Sequence, residues 1–275
     1  MKINNVCLLI PIHPPHYHYM YNLINKLQSN NIDIDIFLIF SSESDYEIFT
    51  MKGYIKPIIV DEPINLNSII TMKKFHGLQK MINEENEFII CIDSEIDIIP
   101  ENVSSENISK KITQIFSNKK LYAGKNGSNL TRGVNESSAR LFKNDFERLK
   151  SLTSDFTLYS WWSDLPVYRK SDLPDFFEVI KYNENKYKLE WGQFDYVIYQ
   201  YYLVLKYNFE IINTTPITNL DWSLELLKNE NHNILNSLLS IGYGYSWINK
   251  ELYVSNKDFV ESHGGFLIYH LDRYN

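Results

Sequence analysis

The stretch Phe88-Ile89-Ile90-Cys91-Ile92-Asp93-Ser94-Glu95-Ile96-Asp97-Ile98-Ile99-Pro100 constrains this chain most, because an apolar run there ends abruptly in three carboxylates. Consecutive apolar residues rich in β-branched types, preceded by a polar turn, read as a strand buried on both faces. Asp93 arrives where such a strand surfaces. An extended backbone past that point puts Asp93, Glu95 and Asp97 on one side, since successive side chains alternate. Carboxylates gathered this way repel by roughly 1 to 4 kcal/mol per pair at about 4 Å, so a positive group is expected among them. A divalent cation is the simplest, and oxygen-only ligands select hard ions such as Mg2+, Mn2+ or Ca2+. Asp97 lies among Ile96, Ile98 and Ile99, which read as a strand edge re-entering the fold, so Asp93 and Glu95 form the principal pair.

Upstream of this run, strands and helices alternate. Asn5 to Ile12 reads as a strand, stopped by Pro11, Pro14 and Pro15. Tyr19, Leu23, Ile24 and Leu27 then make an apolar helical stripe. Asp33 to Phe40 is a second strand, Ser41 to Ser44 cap a short helix, and Tyr54 to Val60 is a third strand. Asn67 to Asn83 reads as a helix, with Ile70, Phe75, Leu78 and Ile82 on its apolar side and Lys73, Lys74 and Lys80 open to solvent or ligand. Such alternation predicts an α/β fold of right-handed βαβ units, with a mostly parallel central sheet flanked by helices. Ligands of such sheets bind beyond the carboxyl ends of the strands, where Asp93 stands. Further on come a helix over Ile108 to Phe116, a strand over Lys120 to Gly124, a loop over 125–134, and a helix from Asn135 through Leu149. A buried helix over Phe194 to Tyr207 and a strand over Phe209 to Ile212 follow. No linker interrupts the pattern, so residues 1–275 read as one domain, with 1–100 as a nucleotide-binding half and 101–275 as an acceptor-binding half.

Composition excludes several classes of function. A net charge of −7 lacks the basic footprint of a nucleic-acid surface. The apolar run Val6 to Ile12 is too short for a signal core or a membrane span. Cys7 and Cys91 both lie inside apolar runs, where free Cys behaves as a small hydrophobe, and a reduced, cytoplasmic setting fits them. His13, His16 and His18 have no companion Cys or carboxylate at ligand spacing, which argues against zinc.

Four features together resemble the GT-A glycosyltransferases, at the level of the superfamily. They are the opening strand ending Ile10-Pro11-Ile12-His13, the lysine-bearing helix Thr71-Met72-Lys73-Lys74-Phe75-His76-Gly77-Leu78, the acidic Ile92-Asp93-Ser94-Glu95, and His263-Gly264-Gly265 near the C-terminus. Glu95 replaces the second Asp that is more usual in such motifs. The resemblance implies a nucleotide-sugar donor contacted by Ile12, His13, Lys74, Asp93 and Ser94. It also implies Mn2+ or Mg2+ held by Asp93, Glu95 and His263, with His270 as the rival third ligand. In inverting members an acidic residue at the head of a helix takes the acceptor's proton, and Glu190-Trp191-Gly192-Gln193-Phe194-Asp195 offers Asp195 and Glu190 for that part. Asp195 also reads as a plain helix cap. Trp161, Trp162, Trp191, Tyr243, Tyr245 and Trp247 suit stacking on sugar rings or a base. The acceptor implied is a saccharide or glycan. A nucleotidyltransferase acting on sugar phosphates and a non-catalytic carbohydrate-binding protein are the alternatives.

Overall fold

β1 (Lys2–Pro11) runs through a five-stranded sheet that organises the first part of the chain. The computed structural model describes residues 2–63, 66–125, 129–153, 156–158, 165–217, 232–240, 247–263, 265–269 and 271. They gather into two compact units: Met1–Ile108 with Pro166–Leu189 and Phe266–Asn275, and Ser109–Leu165 with Glu190–Gly265. The first unit thus draws on three separated stretches of sequence instead of ending near residue 100.

In the first unit, β1 is followed by helix α1 (Tyr17–Ser29), β2 (Asp33–Phe40), helix α2 (Glu43–Ile48), β3 (Lys56–Ile59), helix α3 (Ile69–Met81) and β4 (Phe88–Cys91). The strands lie in the order β3-β2-β1-β4, all parallel, and Val167–Arg169 pairs antiparallel with β4 at the edge. β1, β2 and β3 are laid down in one direction, after which the chain crosses back to place β4 on the other side of β1. Right-handed crossovers therefore put α1 and α3 on opposite faces, and the reversal opens a crevice beyond the carboxyl ends of β1 and β4. Asn5 has a φ of 63° where the β1–β2 register shifts, and its carbonyl accepts from Glu87 N–H at 2.9 Å. Cys7 and Cys91 are buried and not disulfide-bonded, and burial pushes the Cys7 thiol well up.

α3 differs from its expected orientation. Every residue from Thr71 to Leu78 is buried, Lys73 and Lys74 included, whereas Ile70 is 40% exposed. The helix is enclosed by the sheet on one side and by Leu173–Val179 and Tyr182 on the other, with Phe75 edge-on to Phe176, Phe177 and Tyr182. Gly77 makes the approach to the sheet possible. A Cβ there would fall inside contact distance of Ile39 Cδ1 and 3.1 Å from Leu9 Cδ1. The exit from β3 is tied down by Glu62, whose carboxylate accepts from Lys186 Nζ, from Tyr187 Oη at 3.1 Å, and meets His76 Nδ1 at 3.3 Å. After β4 the chain forms β5 (Ile96–Ile98), which pairs antiparallel with Leu267–Tyr269.

The second unit has a three-stranded sheet in which Lys120–Lys125 lies parallel to Glu210–Asn213 and antiparallel to Phe156–Leu158. Helix Asp195–Tyr207 is buried from Asp195 to Val204 and ends at Asn208, whose φ of 57° closes it. The expected glycine-bearing loop over 125–134 is largely helix, Asn129–Ala139, and the helix expected through Leu149 is broken by turns before Phe146–Thr153. Tertiary bonds explain the first difference. Tyr201 Oη donates to Asn135 O at 3.2 Å, and Gln193 Nε2 to Ser137 O at 3.2 Å. Among the described residues no helix is long and apolar enough to cross a membrane.

Candidate functional site

The acidic run leaves the sheet at Ile92, whose N–H donates to Leu9 O at 3.1 Å. It does not stay extended: the backbone bends at Ser94 and Glu95 before re-entering as β5. Each of the three carboxylates meets a basic partner. Lys74 Nζ lies 3.0 Å from Asp93 Oδ1, His16 Nδ1 lies 3.7 Å from Glu95 Oε2, and Lys26 Nζ bonds Asp97 Oδ2. The positive groups expected among them are therefore supplied, in the first unit, by side chains from α3 and from the turn and helix after β1. Asp97 points away from its buried neighbours Ile96 and Ile98, as the strand-edge reading requires.

The bend is fastened from two directions. Ser94 is 3% exposed, and its Oγ stands 2.7 Å from His16 Nδ1. Glu95 O accepts from Leu271 N–H at 3.2 Å, a main-chain bond. His16 packs on the His13 ring, 3.9 Å between centroids, with Tyr19 edge-on at 5.3 Å. Burial lowers the pKa of His13, and the neighbouring His16 and Lys73 charges act the same way. The ring is thus neutral near pH 7, able both to donate and to accept. Ile12 is fully buried, with its N–H on Ile39 O at 3.0 Å and its carbonyl taken by Lys73 Nζ at 2.5 Å, so its part at this edge is to position Lys73.

Ile12, His13, Lys74, Asp93, Ser94 and Glu95 are thus brought to one edge of the first unit. Lys73, which the sequence leaves open to solvent or ligand, and His16 join them, and Lys26 is the contributor to which sequence reasoning gives no role there. The proline-histidine turn directly after β1 is the available signal for His16. For a hard divalent ion this edge offers carboxylate oxygens, the fitting donor type. Asp93 Oδ1 is sealed from solvent against Lys74 while the side chain as a whole is 27% exposed, so the carboxylate faces solvent on its other side. Among the described residues no group of three His, Cys, Asp or Glu side chains is arranged to hold a metal ion.

Asp195, Glu190 and His263 belong to the second unit. Asp195 is 5% exposed and is the first residue of its helix, with Phe194 in the cap position. Glu190 is surface-exposed and 3.5 Å from Arg140 Nη1. His263 is the last residue of helix Lys257–His263, and its side chain lies outside the described residues. So do Trp161, Trp162, Tyr243, Tyr245 and His270, whereas Trp191 is 64% exposed. Arg169 is engaged by Asp172, with Nε 3.0 Å from Oδ2.

No family model matches the sequence, and no curated protein does. Among solved structures the chain is similar to S. aureus TarS 1-349 in complex with UDP, at 13% identity over 74% of this chain and 56% of that one, with a TM-score of 0.38. It is similar to S. aureus TarS at 16% identity over 64% of this chain and 30% of that one, with a TM-score of 0.33. It is also similar to mannose-1-phosphate geranyltransferase from Thermus thermophilus, at 9% identity, 76% and 69% coverage, and a TM-score of 0.34. The chain spans 30% to 65% of the length of the TarS structures it matches.

Proposed function

We propose that the carboxyl edge of the first unit binds a nucleotide-sugar donor, and that the chain is a GT-A-type glycosyltransferase moving that sugar to a saccharide or glycan acceptor with inversion. One observation carries the reading: the Asp93-Ser94-Glu95 bend stands at the crevice between β1 and β4, with Lys74 and His16 fastened onto it. Strand reversal at that point is where open α/β sheets take nucleotides. A nucleoside diphosphate gains negative charge as the sugar–phosphate bond breaks, and a cation already held in place stabilises that charge without reorganisation.

Lys74, 8% exposed and positioned by Asp93, is such a cation. His13, kept neutral, is suited to hydrogen-bond or stack on the nucleoside. Mn2+ or Mg2+ is the proposed cofactor, with Asp93 and Glu95 as its carboxylate ligands; when bound it would add Lewis-acid stabilisation of the diphosphate. Asp195 is the proposed base for the acceptor hydroxyl. Its burial at the first turn of a helix favours a fixed carboxylate over the solvated Glu190, which is the second choice.

The test is donor hydrolysis. The protein is incubated with a panel of nucleotide sugars and Mn2+, and free nucleoside diphosphate is measured. Release with one donor, lost in Asp93→Asn, is the expected result. Metal-dependent nucleotide binding without release from any donor would make this a binding protein. Pyrophosphate release from a sugar phosphate plus a nucleoside triphosphate would make it a nucleotidyltransferase.

A further inference from the structure

Lys73 and Lys74 are neighbours on α3 that serve different strand ends. Lys74 reaches the end of β4, whereas Lys73 Nζ lies between the ends of β1 and β2, donating to Ile12 O at 2.5 Å and to Ser41 Oγ at 3.1 Å. Both acceptors of Lys73 are neutral. An ammonium carries three N–H donors, and among the described residues no carboxylate forms an ion pair with this one. Burial pushes its pKa down to about 8, with Asp45 pulling in the opposite direction. Lys73 is 2% exposed, and a buried charge without a counter-ion costs stability that a Met of similar shape would not. Nothing in the packing of α3 requires that charge, and perturbed buried charges of this kind gather at ligand sites. Ser41, beside the ammonium, is half-buried, so Nζ lies just beneath the carboxyl edge.

We infer that Lys73 is a binding residue of the donor site, giving its third N–H to an oxygen of the bound nucleotide, whether a phosphate oxygen or a carbonyl of the base. The inference rests on the donor-binding reading above and extends the site from β4 across β1 to β2. The ligand then supplies what the fold withholds, an acceptor for the remaining donor.

Calorimetric titration of wild type and Lys73→Met with UDP, GDP, uridine, guanosine and inorganic pyrophosphate tests it. The variant is expected to bind the preferred diphosphate about tenfold to a hundredfold more weakly, the range for losing a hydrogen bond from a charged donor. A loss shared by pyrophosphate assigns the contact to phosphate. A loss shared by the nucleoside and not by pyrophosphate assigns it to the base. Equal affinities in the two proteins overturn the inference and leave the donor site standing, whereas a wild type that takes none of the five probes overturns both. If Lys73→Met does not fold, wild type alone decides the matter. Titration with the preferred diphosphate at about pH 8.5, in buffers of different ionisation enthalpy, is expected to show proton uptake, and binding without uptake overturns the inference.

Discussion

Lys74 Nζ and Asp93 Oδ1 meet at 3.0 Å, joining α3 to the end of β4 with only 10% and 27% of their side chains exposed. Breaking a sheltered ion pair costs more than removing it, because the surviving charge stays desolvated. Asp93→Asn is therefore expected to lower stability by about 1 to 3 kcal/mol, with Lys74→Met/Asp93→Asn recovering part of the loss. Urea unfolding of both single variants and the double variant measures the coupling; a value near zero would remove the pair from the account.

His16 holds the acidic bend through a buried hydroxyl. His16→Ala leaves Ser94 Oγ without this partner at a position 3% exposed, a loss of about 1 to 3 kcal/mol. His16→Gln keeps an amide within reach of Ser94 and should recover part of that stability. Under the proposed function, His16→Ala weakens donor binding more than it slows turnover at saturating donor, so steady-state kinetics should show KM rising more than kcat falls.

Glu62 links pH to the stability of the first unit. Burial raises its pKa, but hydrogen bonds from Lys186, His76 and Tyr187 outweigh that and hold it below the usual carboxylate range. A lowered folded-state pKa contributes stability that is complete above the unfolded value near pH 4.3 and lost as pH falls through the folded value. Glu62→Gln should therefore be less stable than wild type by about 1 kcal/mol at pH 7. Thermal melts taken downward from pH 5 should show the difference closing; a constant difference would contradict the linkage.

Lys73 has the opposite effect on stability at neutral pH. Its pKa is pushed down to about 8 from an ordinary 10.5, so above 8 the folded state binds fewer protons than the unfolded one. The stability this confers is full only above about pH 10.5 and is lost as pH falls through 8. Lys73→Met is expected to be more stable than wild type by about 1 to 3 kcal/mol at pH 7, with the gain shrinking above pH 8. Denaturant midpoints at pH 7 and about pH 10 check the sign.

Gly77→Ala tests the close approach of α3 to the sheet. The added methyl would collide with Ile39 Cδ1, and overpacking of this kind costs about 1 to 3 kcal/mol. Because Lys73 and Lys74 ride on the same helix, donor affinity should fall with stability. Ile39→Val in the Gly77→Ala background removes the offending carbon, and failure to recover any stability would exclude this contact as the cause.

The parts legible in the sequence are those governed by local pattern. Asp33 to Phe40 is a strand with the expected bounds, the sheet is mostly parallel, and Asp93 stands at a strand end. The orientation of α3 is not legible, because lysine heads signal solvent in any periodicity count, whereas here their stems run through a helix covered on two sides. Asn129–Ala139 escapes a local reading because Asn, Thr and Gly are weak helix formers, and bonds from Tyr201 and Gln193 decide the outcome there. The two-residue spacing of Asp93, Glu95 and Asp97 gives no sign of the bend at Ser94 and Glu95.

β5 takes its antiparallel partner from Leu267–Tyr269, and Glu95 O takes its donor from Leu271. During synthesis the four parallel strands leave the ribosome well before the residues that clasp the acidic bend. The bend is therefore among the last features of the first unit to acquire its native shape, since distant contacts must await closure of the long intervening segment. A nascent chain halted before Leu267 would carry the sheet and its basic side chains around an acidic loop that still lacks its clasp.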